Sequence, residues 1–89
     1  MKTYWIKPYK CGQFLVCESP DDVADFLEQM DVISLDEYDN VVDLIKRNTY
    51  TTSKTRIGIN TLEGNEVYEI EVRDLTYEEY MELGEFEGW

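Results

Sequence analysis

The chain has 89 residues, of which 20 are Asp or Glu and 8 are Lys or Arg, with no His, so its formal charge is −12. That length supplies one acidic domain over residues 1–89 and excludes two-domain catalytic architectures, because a single core serves roughly 100–150 residues. An apolar share of 43% with 2 Trp, 7 Tyr and 3 Phe excludes the disordered class, and the lack of a strong basic excess argues against direct nucleic-acid binding.

The charge falls in blocks. Residues 1–17 carry +3, residues 18–45 carry −10 with no base, residues 46–62 carry +4 with no acid, and residues 63–89 carry −9. No apolar run long enough for a signal-peptide core follows Met1-Lys2, and none reaches the roughly 18 residues of a membrane span. A cytoplasmic protein without membrane contact is expected, resident in host cytoplasm if phage encoded. The two cysteines, Cys11 and Cys17, have a spacing that fits neither a zinc knuckle nor a redox pair, which favours reduced, structural thiols.

In chain order, residues 3–7 and 13–17 read as a hairpin rich in aromatic and branched side chains, with Pro8 to Gly12 as its turn. Both strands are apolar on both faces, so a second covering layer or a second chain is expected there, and a homodimer through this hairpin is one such arrangement. Ser19 as N-cap, Pro20 at the first position and Asp21 and Asp22 in the first turn predict a helix over residues 20–30, with Val23, Phe26, Leu27 and Met30 facing the core. Ser34 with Glu37 has the pattern of a capping box for a second helix, whose apolar face is Leu35, Tyr38, Val41, Val42 and Ile45. A Thr-rich stretch over residues 49–60 turns at Glu63-Gly64 into a return strand over residues 67–72, pairing Ile59 with Tyr68, Ile57 with Ile70 and Arg56 with Glu71. Thr76 with Glu79 opens a last helix over residues 77–83, with Tyr77, Tyr80 and Met81 inward and Gly84 as its cap. The order ββααββα predicts an α+β fold, an antiparallel sheet from two β-hairpins with helices packed on one face. Tyr4, Phe14, Phe26, Tyr38 and Tyr68 are assigned to the core, whereas Trp5, Tyr9, Tyr50, Phe86 and Trp89 have no assigned place; exposed Tyr or Trp beside carboxylates would serve as hot spots of a protein interface, and Trp89 would equally serve by folding back to seal the core.

Catalysis finds few footholds. Without His, nucleophilic arrangements lose their usual base, and with 20 acids some carboxylate pair at glycosidase spacing would arise in any fold. Residues 36–40 lack the glycine and terminal Glu of a calcium loop, and no phosphate-cradling glycine motif is present. A non-enzymatic protein with no cofactor and no metal is therefore expected.

Carboxylates four residues apart on a helix are separated by about 6 Å along its axis, comparable with successive phosphates on one strand. Asp21, Asp25 and Glu28 form one such row, Asp36, Asp39 and Asp43 a second, and Glu78, Glu82 and Glu85 a third, with Asp22 and Glu79 beside them. Acidic helix faces also serve plain solubility, but ordinary surfaces intersperse both signs, and residues 18–45 do not. The expected function is an acidic inhibitor that presents a DNA-mimicking face to a basic nucleic-acid-binding protein, such as a nuclease, polymerase or DNA-packaging protein, in a phage or mobile-element setting. The alternatives are an immunity- or antitoxin-type inhibitor of a basic nuclease, and a small structural or assembly subunit that dimerises.

Overall fold

The structure, a computed structural model, describes residues 1–10, 12–50 and 54–89. The elements are β1 (Lys2–Pro8), β2 (Leu15–Cys17), α1 (Pro20–Gln29), a single 3-10 turn (Leu35–Glu37), α2 (Tyr38–Thr49), β3 (Lys54–Thr61), β4 (Gly64–Asp74) and α3 (Tyr77–Met81). This is the expected α+β arrangement, and the four strands form one antiparallel sheet in the order β2-β1-β4-β3. Strand alternation sends Ile6, Leu15, Ile57, Ile59, Tyr68 and Ile70 to one face, where they are buried against Val23, Ala24, Leu27, Val41 and Ile45 of the helices. Each such aliphatic side chain contributes about 1.5–3 kcal/mol by leaving water.

The two hairpins are joined at the centre of the sheet by β1 and β4, whose seven-residue register runs from Lys2 opposite Asp74 to Pro8 opposite Tyr68. Within the second hairpin the register differs from the expectation by two residues: Ile57 faces Tyr68, Ile59 faces Glu66 and Arg56 faces Glu69. The turn residues are Leu62 and Glu63, and Gly64, at φ +128°, follows them as the position that needs a glycine. A slip of two keeps every side chain on its expected face, so the core is unchanged while the charge partners move.

Other departures have local causes. Ser34 makes no side-chain cap bond, so the chain passes through the 3-10 turn before α2, and Leu35 is left exposed instead of joining the apolar face. Helix α1 stops at Gln29 because Asp31 adopts a left-handed conformation (φ 58°) while the Val32 amide donates to the Leu27 carbonyl at 2.9 Å; Met30 is thereby exposed. Helix α3 ends at Met81 with Glu82, not Gly84, as its cap, and Tyr77 and Met81 point to solvent. Phe14 precedes β2 and lies edge-on to Trp5 on the outer face of the sheet, not in the core. Cys17 is a free, buried thiol, and burial, with the charge of Asp22, pushes its pKa up to about 12. The expectation for Cys11, and that for residues 51–53 of the Thr-rich stretch, lie outside the described residues.

The last six residues return across the molecule. Gln13 donates from Nε2 to the Glu85 carbonyl (3.4 Å), accepts from the Glu87 amide (3.3 Å), and offers its own carbonyl to Trp89 Nε1 (2.9 Å). The Trp89 ring then packs within 5.4 Å of Phe86, 5.6 Å of Tyr68 and 6.5 Å of Phe26, closing the side of the core between α1 and the sheet.

Candidate functional site

The acidic surface is built from the start of α1. The Ser19 hydroxyl accepts from the Asp22 amide at 3.1 Å, and Pro20 fixes the first turn, so the helix buries Val23, Ala24 and Leu27. Helical periodicity then leaves Asp21, Asp22 and Asp25 exposed and Glu28 half-buried. In the 3-10 turn and α2, burial of Val41, Val42 and Ile45 leaves Asp36, Asp39 and Asp43 exposed in the same way.

Tyr38 ties these two rows together. Its hydroxyl donates to Asp25 Oδ1 at 2.7 Å and also lies 3.1 Å from the Asp21 carbonyl, so the first residue of α2 is fastened to the exposed side of α1. The hydrogen bond to Asp25, followed by burial and the charges of Asp25, Asp21 and Asp22, pushes the Tyr38 pKa up to about 12. Sequence reasoning placed Tyr38 on an apolar face; the missed signal was a hydroxyl able to reach an acidic neighbour helix.

The third row is less regular. Glu79 is occupied by its own helix: its carboxylate accepts from the Thr76 amide at 2.8 Å while its amide donates to the Thr76 hydroxyl at 3.1 Å, and those bonds hold its pKa below the usual carboxylate range. Glu78 and Glu82 are exposed, but Glu82 caps the helix and Glu85 lies beyond it, so helical spacing does not extend through the row. Tyr80 connects α3 to the acidic surface through its hydroxyl, which is hydrogen-bonded to the Glu18 carboxylate; burial, followed by the Glu18 charge and that bond, raises its pKa.

Most of the bases sit elsewhere, apart from Lys46 and Arg47 in the last turn of α2. On the outer face of the sheet Glu69 lies 3.5 Å from Lys7 and 3.5 Å from Arg56, and Glu71 lies 2.9 Å from Arg73. The Arg73 guanidinium also stacks 3.9 Å from the centre of the Trp5 ring, whose indole N–H donates to the buried Thr3 hydroxyl at 2.9 Å. The bond to Arg73 holds Glu71 below its usual pKa. Across the helical layer, residues 18–45, the ion pair among the described residues is Asp43 with Arg47, at 3.2 Å and largely exposed, which is worth little in water. The acids of residues 18–45 thus lie mostly on α1, the 3-10 turn and α2, with Lys46 and Arg47 at the end of α2, while on the outer face of the sheet Glu69 and Glu71 are paired with cations.

Among the described residues no group of three or more His, Cys, Asp or Glu side chains is arranged to hold a metal ion, and no helix is long and apolar enough to cross a membrane. No protein-family model, curated protein or solved structure matches the chain.

Proposed function

We propose that this chain is a non-enzymatic binding protein whose helical face, centred on Asp21, Asp25, Asp36 and Asp39, occupies the basic groove of a nucleic-acid-binding protein. The observation that carries the reading is a contrast: Glu69 and Glu71 on the sheet have cationic partners within 3.5 Å, whereas residues 18–45 contain ten acids and no base, and the ion pair made by that block among the described residues is the exposed one of Asp43 with Arg47. An unneutralised field of this kind destabilises its own fold, and a partner of opposite sign relieves that repulsion and is steered toward it. A nuclease, polymerase or DNA-packaging protein has such a groove, and a phage or mobile element is a natural source of its inhibitor. If the target nuclease is encoded beside this chain, the same face makes it an immunity- or antitoxin-type protein. Dimerisation through the amino-terminal hairpin has less support, since Trp5 on its outer face is already covered by Arg73.

The test is capture of partners from a host lysate, followed by competition with duplex DNA for the purified partner. Asp21→Asn, Asp36→Asn and Asp39→Asn together remove charge without touching the Asp25 bond to Tyr38. A fall in affinity of about tenfold or more, with a shallower salt dependence, is expected. An affinity unchanged by the triple variant, or a partner that binds this chain and DNA at the same time, refutes the reading.

A further inference from the structure

We propose that the pocket beside Trp89 receives an apolar side chain, flanked by Lys or Arg, from a basic partner protein. The proposal rests on the acidic-face reading and adds to it the place where apolar contact anchors the complex. Two adjoining hollows, of about 590 and 270 Å³, share Pro8, Glu66 and Trp89 as walls; Tyr9 and Val67 complete the larger and Met30 borders the smaller. The larger by itself lies in the volume range of ligand-sized clefts. The apolar walls of the two hollows are partly open to water, with Tyr9 45%, Val67 48% and Met30 40% exposed. Exposed apolar side chains gathered around one concavity and rimmed by charge mark an interaction site, whereas the same residues scattered would not.

Trp89 gives this pocket a wall that is already in place. Its indole N–H is held by the Gln13 carbonyl and its ring by Phe86 and Tyr68, so little side-chain freedom remains to be lost on binding. Aromatic side chains fixed in this way are the usual anchors of protein interfaces.

Charge on the rim identifies the occupant. Asp31, Glu63 and Glu66 border the hollows against Lys10, while Arg56, which lies 4.3 Å from the Tyr9 ring centre, is already paired with Glu69 at 3.5 Å. The local excess is acidic, which suits an apolar residue carried between bases. It opposes a second copy of this chain, which would bring the same carboxylates and another −12 to the contact. Met30 and Asp31, which border the smaller hollow, place it just beyond the carboxyl end of α1.

The experiment uses the full chain carrying Trp5→Phe, which leaves Trp89 as its one indole, and two basic octapeptides, one with Leu-Phe at its centre and one with Gly-Ser. The Leu-Phe peptide is expected to bind about tenfold more tightly, as half-burial of such side chains implies, and to shift Trp89 emission to the blue. Val67→Ser should reduce that preference at least threefold while leaving the Gly-Ser peptide unaffected; Met30→Gln is the second variant should Val67→Ser fail to fold by circular dichroism. Equal binding of the two peptides, or a preference untouched by whichever variant folds, overturns the proposal. So does a concentration-dependent dimer in sedimentation that the variant dissolves. Neutralising Asp21, Asp36 and Asp39 should weaken both peptides alike. If it weakens neither while the Leu-Phe preference persists, the acidic-face reading fails and the pocket assignment stands.

Discussion

Replacing Trp89 by Ala tests whether the carboxyl-terminal segment is part of the core. The substitution removes ring contacts to Phe86, Tyr68 and Phe26 at 5.4, 5.6 and 6.5 Å and the hydrogen bond to the Gln13 carbonyl at 2.9 Å. A fully buried Trp→Ala change costs about 3–5 kcal/mol, and a half-buried ring is worth roughly half of that, about 2 kcal/mol. The hydrogen bond adds about 0.5–1 kcal/mol, at the low end because the Gln13 carbonyl can turn to water. The total, about 2.5–3 kcal/mol, corresponds to a fall in Tm of roughly 10–20 °C for a domain of this size. Urea unfolding followed by far-ultraviolet circular dichroism measures it directly. Trp89→Phe separates the two contributions by keeping most of the ring contact and losing the N–H, with an expected cost of about 1 kcal/mol. A loss below about 0.5 kcal/mol for Trp89→Ala would refute the reasoning, because it would mean that the segment makes no net contribution to closing the core.

Two further expectations concern the acidic face. Tyr38 has its pKa raised from 10.0 to about 12, so folding favours its protonated hydroxyl; the contribution is intact below pH 10 and is lost as pH rises toward 12. The urea midpoint of the native chain should therefore fall relative to Tyr38→Phe over that interval, and parallel midpoints would mean that the bond to Asp25 is absent. Raising salt from about 0.01 M to about 0.15 M shortens the screening length from about 30 to about 8 Å, which should relieve repulsion across residues 18–45 and raise Tm by about 4–8 °C, or about 1 kcal/mol. A fall in Tm would indicate instead that the sheet ion pairs of Lys7, Arg56 and Arg73 dominate the electrostatics.

Elements whose signals repeat were legible in the sequence. Val23 and Leu27, and Val41, Val42 and Ile45, recur at helical spacing, while Tyr68 and Ile70 alternate as a strand requires, and these side chains form the core. What escaped was decided by single backbone positions or by distant contacts. Gly64 belongs just after the turn instead of within it, because positive φ is needed there, and that one assignment moves the hairpin register by two. Ser34 has the residues of a capping box without its geometry, whereas Thr76 with Glu79 has both. The acidic rows are visible as spacing, but their placement is not: the bond from Tyr38 to Asp25, thirteen positions away, is what fastens the start of α2 to α1. Gln13 and Trp89 lie 76 positions apart, and no local pattern announces their pairing.

The central position of β1 and β4 in the sheet also governs the order of events in folding. Each hairpin can close on its own over a short loop, yet the sheet becomes continuous only when Lys2 to Pro8 meets Tyr68 to Asp74 across most of the chain. Contacts so distant in sequence require loop-closure entropy to be overcome before their benefit is felt, which places folding in the slower, topology-limited class. On the ribosome, β1 must therefore wait, with its edge toward β4 unpaired, until β4 has been synthesised, and the acidic helices that lie between them in sequence are made before the sheet that anchors them is complete.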